Sequence, residues 1–169
     1  TGKKNSFKYA AEYAKQSEYA EQPKDYNADY HALELGYSIK NKEVALGEIA
    51  LGYEVLGSDD GKIAFQTPLA TKHKFNGWTD LFLATPANGL TDLYVSSSFN
   101  VFGKGKLGTE LHQYRSDEKN MDYGQEYSVS YSQALPLKGL SGLAKFSDYQ
   151  AEAFGVDTQK LWLQLDYKY

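Results

Sequence analysis

From Leu161 to Tyr169 the chain alternates without a break. Leu161, Leu163, Leu165, Tyr167 and Tyr169 share one face; Trp162, Gln164, Asp166 and Lys168 share the other. A period of two describes a β-strand with one apolar side. The same pattern recurs along the chain. Phe7, Tyr9, Ala11 and Tyr13 stand opposite Lys8, Glu12 and Gln16. Leu33, Leu35, Tyr37 and Ile39 alternate with Glu34, Gly36 and Ser38, and Ile49, Leu51, Tyr53 and Val55 with Ala50, Gly52 and Glu54. Further strands are predicted around Leu93–Val101, Leu107–His112 and Glu126–Ser132, which makes about eight with the less regular stretch Leu143–Ala151. Near Val44 and Leu46 the phase slips by one residue, which predicts a bulge.

The connections sort into two kinds. Lys40-Asn41-Lys42, Gly103-Lys104-Gly105 and Pro136-Leu137-Lys138-Gly139 read as tight turns. Residues around 20–28, 57–90, 116–122 and 152–157 read as longer loops. Short and long alternate along the chain, as in an antiparallel up-and-down transmembrane β-barrel. Greek-key sandwiches give no such alternation. The expected fold is therefore all-β: a bacterial outer-membrane barrel of which about eight strands are present, probing lipid with its Leu, Val and Tyr face and water with the other. A soluble lipocalin-like barrel would turn the apolar face inward, and alternation alone does not separate the two.

Composition sharpens this picture. The 169 residues include 15 Tyr and no Cys, so neither a disulfide framework nor a thiolate metal site is available. The formal charge of −4, a single Arg (Arg115) and scattered Lys argue against nucleic acid. No apolar run is long enough for a membrane-spanning helix, but strands that are apolar on alternate residues look soluble on average. Thr1-Gly2-Lys3-Lys4 is neither a Met start nor a signal peptide, which suggests a removed leader or a longer parent chain.

After the third strand the sequence becomes distinctive. Gly52-Tyr53-Glu54-Val55-Leu56-Gly57 is followed by Ala64-Phe65-Gln66-Thr67-Pro68-Leu69-Ala70-Thr71, then by His73-Lys74-Phe75-Asn76-Gly77-Trp78-Thr79-Asp80, Thr85-Pro86 and Gly89-Leu90. With Tyr123-Gly124-Gln125-Glu126 and Asp157-Thr158-Gln159-Lys160-Leu161-Trp162, these pieces resemble the C-terminal portion of the alginate-export family of outer-membrane porins. Tyr169 takes the place of the usual terminal Phe, and Lys72 and Thr79 replace residues that are apolar or small there. The resemblance implies a larger barrel, a passive channel for small or oligomeric saccharide-type solutes, anionic ones included, and no enzymatic activity. Likeness to outer-membrane proteins generally implies that the barrel-assembly machinery reads the terminal strand. The alternative is a freestanding eight-stranded barrel with a structural or binding role and no conduction, because so small a barrel is filled by its own side chains.

Candidate chemistry lies on the polar faces. Inward positions comprise Lys8, Glu12, Glu34, Glu54, Glu110, His112, Glu126, Asp166 and Lys168, and charges on a lumen wall sort ions. Carboxylates dominate, so basic contacts for an anionic solute are expected from Lys72, His73 and Lys74, or from the remaining strands of a larger barrel. The 58–90 loop, external or folded into the lumen, carries Trp78 and three Phe residues and is long enough to need a function, such as a constriction at the barrel mouth. His31, His73 and His112 sit on different elements and predict no metal site; no catalytic triad and no cofactor motif appears. The expected partners are membrane lipids, the assembly machinery and a small solute or polysaccharide.

Overall fold

The computed structural model describes residues 5–19, 25–41, 44–68, 75–101 and 105–169. Its strands are β1 (Ser6–Ser17), β2 (Asn27–Asn41), β3 (Val44–Leu56), β4 (Ser58–Asp59), β5 (Ile63–Ala64), β6 (Leu90–Val101), β7 (Gly105–Arg115), β8 (Asp122–Ala134), β9 (Leu140–Ala151) and β10 (Thr158–Tyr167). Eight of them form one antiparallel sheet in the order β1-β2-β3-β6-β7-β8-β9-β10, so each strand pairs with its chain neighbour. The small hairpin β4–β5 lies within the long 57–89 connection. The alternation of short and long connections is borne out, although the expected turn residues Lys42 and Gly103-Lys104 lie outside the described residues. The expected bulge is present as well. Ile39 pairs with Gly47 but Lys40 with Ala45, so Leu46 is the extra residue.

Side-chain parity follows the sequence pattern. One cross-sheet row on the outer face runs Tyr9, Leu35, Leu51, Val95, Leu111, Tyr127. The next runs Phe7, Tyr37, Ile49, Ser97, Thr109, Val129, Phe146, Leu161. Ser97 and Thr109 share a hydrogen bond there at 2.9 Å, one hydroxyl donating to the other. The leucines and valines of these rows are exposed, as are the aromatic rings apart from the half-buried Tyr37. The apolar band also runs obliquely. Phe7, at the short-turn end of the band on β1, is level with Leu161, at the long-loop end of the band on β10. An oblique band is what tilted strands produce when the band itself is horizontal.

The opposite face carries the rows Lys8, Gly36, Ala50, Ser96, Glu110, Ser128, Ser147, Lys160 and Ala10, Glu34, Gly52, Tyr94, His112, Glu126, Tyr149, Thr158. Cavities of about 860 and 600 Å³ open on this face, which makes it the concave one. It is polar, whereas the exposed face is apolar, the reverse of a lipocalin-like barrel.

The sheet does not close. β1 and β10 are its edges, and Phe7 and Leu163 on them are 85% and 76% exposed. The expectation of a barrel is thus met in strand number, direction and connectivity, but not in closure. The physical reason is on the concave face. It accommodates an inserted chain segment as well as the cavities, and the interior of a closed eight-stranded barrel has room only for its own side chains.

Candidate functional site

The long connection returns across the concave face between residues 75 and 82. Asn76, Gly77 and Asp80 all have left-handed φ values, of 55°, 86° and 60°, so the chain turns tightly. This brings its backbone onto the wall. The Asn76 amide donates to Glu54 on β3 at 2.6 Å and to Asp92 on β6 at 3.3 Å. The Trp78 N–H donates to Glu126 on β8 at 2.5 Å, and the Thr79 N–H and hydroxyl donate to the same carboxylate at 3.3 and 2.5 Å. Lys145 on β9 places Nζ 4.5 Å from the centre of the Trp78 ring. Asp80 accepts from Lys160 on β10 at 2.9 Å. One short segment is therefore tied to strands from β3 to β10.

Glu126 is the hub of these ties. Besides the segment's three donors it accepts from Ser128 at 2.9 Å and Ser147 at 2.5 Å, and it is wholly buried. Both of its oxygens accept hydrogen bonds. Beyond the hub, Phe82 fills a hydrophobic cluster at the long-loop end of the sheet. Its ring lies 4.5 Å from Tyr114, 5.2 Å from Phe154 and 6.1 Å from Tyr123 and Tyr149. Leu56 and Leu90, which flank the long connection, are buried in the same cluster.

Gly77 has no substitute in this arrangement. A Cβ there would overlap the Tyr114 hydroxyl and the Glu126 carboxylate, on a backbone whose φ disfavours any L side chain. Gly77→Ala is expected to destabilise the fold by about 2 kcal/mol, combining strained φ with overpacking. Urea unfolding of the reconstituted protein measures this; a change within a few tenths of a kcal/mol contradicts the placement of the segment.

The other candidates fall beside the segment rather than beneath it. Glu54 accepts from the Tyr30 hydroxyl at 2.7 Å in addition to Asn76, and Glu34 accepts from the Tyr94 hydroxyl at 2.7 Å. Tyr94 itself lies over Gly52, where a side chain would collide with its ring. His112 Nδ1 donates to Asp92 at 2.9 Å, and its Nε2 lies 3.5 Å from Glu110. The imidazole is stacked between Tyr94 and Tyr114, each 5.4 Å away. Glu12, Glu34, Glu54, Trp78, Glu110 and His112 all border the 860 Å³ cavity, so the structure brings these six together. Glu126 does not join them, because the segment covers it. Lys72, His73 and Lys74 lie outside the described residues. Lys8 pairs with Glu48 at 2.6 Å, and Asp166 accepts from Gln164, both away from the segment. Among the described residues no group of His, Asp and Glu is arranged to hold a metal.

Three participants were missed from the sequence. Asp92 and Tyr114 share the parity of Tyr94 and His112, so extending the period by one step in each direction reveals them. Lys145 lies in β9, where Leu143 and Tyr149 point inward while Asp148 and Gln150 point outward, so hydrophobicity mislabels the faces. Compared with protein-family models, curated proteins and solved structures, the chain finds no match.

Proposed function

We propose that these strands are part of the wall of a bacterial outer-membrane channel that passes small or oligomeric saccharide-type solutes passively. The oblique, exposed apolar band that crosses the sheet carries this reading. An exposed apolar surface of this extent needs a cover, and a bilayer supplies one on every strand at once. A polar concave face with adjoining cavities is the water side of the same wall. The room taken by the 75–82 segment and the cavities favours a barrel with more strands than these eight over a freestanding one. Unpaired edges inside a bilayer are costly, so in this reading further strands complete the ladders of β1 and β10. The likeness to alginate-export porins agrees with each point and remains part of the proposal. The 75–82 segment, tied flat against the wall, serves as the constriction.

The test is conductance. The full natural polypeptide, purified from outer membranes and added to a planar bilayer, is expected to give discrete steps. Replacing residues 66–84 with a short Gly-Ser linker is expected to enlarge them. Membrane-inserted protein that gives no steps refutes the channel; steps unchanged by the deletion refute the constriction.

A further inference from the structure

The segment at 75–82 divides the concave face unequally. On the β8–β9 side, Glu126, Ser128, Ser147 and Tyr149 are all buried beneath it. On the β1–β7 side the face stays open as the 860 Å³ cavity. This cavity adjoins the 600 Å³ one towards the short turns, since Glu34, Trp78, Ser96 and Glu110 border both. An open trough therefore passes one edge of the segment, beside Trp78, whereas the wall residues under the other edge are buried.

The chemistry of that passage is uneven too. Glu12, Glu34, Glu54 and Glu110 border it. The donors that hold Glu34 and Glu54 are phenol hydroxyls and an amide, which orient a carboxylate without neutralising it. Asp92 is turned away from the opening towards His112 and Asn76. The lysine at this level, Lys145, lies over the Trp78 ring. Further along, Lys8, Lys40 and Lys106 stand with Glu48 around a serine-rich floor, so the carboxylate excess is local to the passage beside the segment.

We propose that this trough along β1–β7, and not the middle of the concave face, is the solute path, and that its carboxylates make the constriction prefer cationic solutes to anions. The inference rests on the channel reading and narrows it, since among the described residues four glutamates border this passage against Lys145 and a His112 that is paired with Asp92. Charges lining a narrow passage with low-dielectric walls dominate the potential an ion meets there.

Reversal potentials in a KCl gradient across a planar bilayer, with the full natural polypeptide, decide the matter. Potassium is expected to permeate better than chloride. In the double variant Glu34→Gln/Glu110→Gln the reversal potential is expected to move at least halfway to zero, while Glu152→Gln on an outer loop leaves it unchanged. Neutral glutamines keep size and hydrogen bonding, and single-channel conductance in the same records shows whether the barrel has assembled. Chloride preference, no preference, or a double variant with the parent's reversal potential overturns the path while leaving the channel standing. Inserted protein with no conductance overturns the channel and the path with it.

Discussion

Replacing Glu126 by Ala is expected to destabilise the protein by about 3 kcal/mol and to release the 75–82 segment from the wall, because removing a buried carboxylate leaves the segment's donors to it unpaired. The donors are specific. The Trp78 N–H, the Thr79 N–H and hydroxyl, and the Ser128 and Ser147 hydroxyls all point at it. Ser128 and Ser147 lie within hydrogen-bond distance of each other, but the Trp78 and Thr79 donors lose their acceptor at a site that is wholly buried. Glu126→Gln preserves shape but turns an amide N–H₂ towards donors, so an intermediate loss is expected. Ser147→Ala removes one donor and is expected to cost about 1 kcal/mol. Urea unfolding followed by tryptophan fluorescence reads the loss directly, since Trp78 sits at the contact. Limited proteolysis reads the release: cleavage between residues 75 and 82 is expected to appear in Glu126→Ala. A variant as stable and as protease-resistant as the parent contradicts the role given to Glu126.

The second large effect concerns the other face. Leu51 lies in the middle of the outer row between Leu35 and Val95, with an exposed side chain. Leu51→Arg is expected to cost about 2–4 kcal/mol, the penalty for a cation near the bilayer midplane on a barrel strand. Ser96→Arg, one residue along β6 from Val95 but facing the trough, is expected to cost less than about 1 kcal/mol. In a water-soluble sheet the contrast disappears, because an Arg on an exposed surface is then as well solvated at either position. Folding equilibria in lipid vesicles distinguish the two cases, and equal costs contradict a lipid-facing Leu51.

These expectations depend on parity, and parity is what the sequence displays best. Where a strand has one wet and one dry side, each residue reports its own face, so β1, β2, β3 and β10 are legible without coordinates. The bulge at Leu46 shows as a phase slip for the same reason. In β9 the rule fails towards the C-terminal end. Tyr149 points inward because Phe82, more than sixty residues earlier, covers it, while Asp148 and Gln150 point outward near the rim. The burial of Glu126 is hidden likewise. Its alternation shows an inward carboxylate, but only the path of the 75–82 segment makes it a hub rather than part of an open wall. The candidate set was thus legible as a face, and its division into open and covered members depends on a contact far apart in sequence. Strand number and order were legible in the same way, whereas closure is not written in the alternation, since the number of strands a barrel needs is set by what its interior must hold.

The absence of Cys makes every engineered thiol unique, so the central claim, that the apolar face meets lipid and the polar face meets water, is open to a residue-by-residue scan. The measurement is a spin-label accessibility scan along β6 from Leu93 to Phe99 in reconstituted membranes, with oxygen as the lipid-soluble relaxant and a nickel chelate as the water-soluble one. The lipid-facing reading predicts a period of two, with positions 93, 95, 97 and 99 favouring oxygen and 94, 96 and 98 favouring the chelate. Position 97 is the sharpest, because Ser97 is polar in sequence yet lies on the outer face against Thr109. An inverted phase, or equal chelate access at all seven positions, contradicts it.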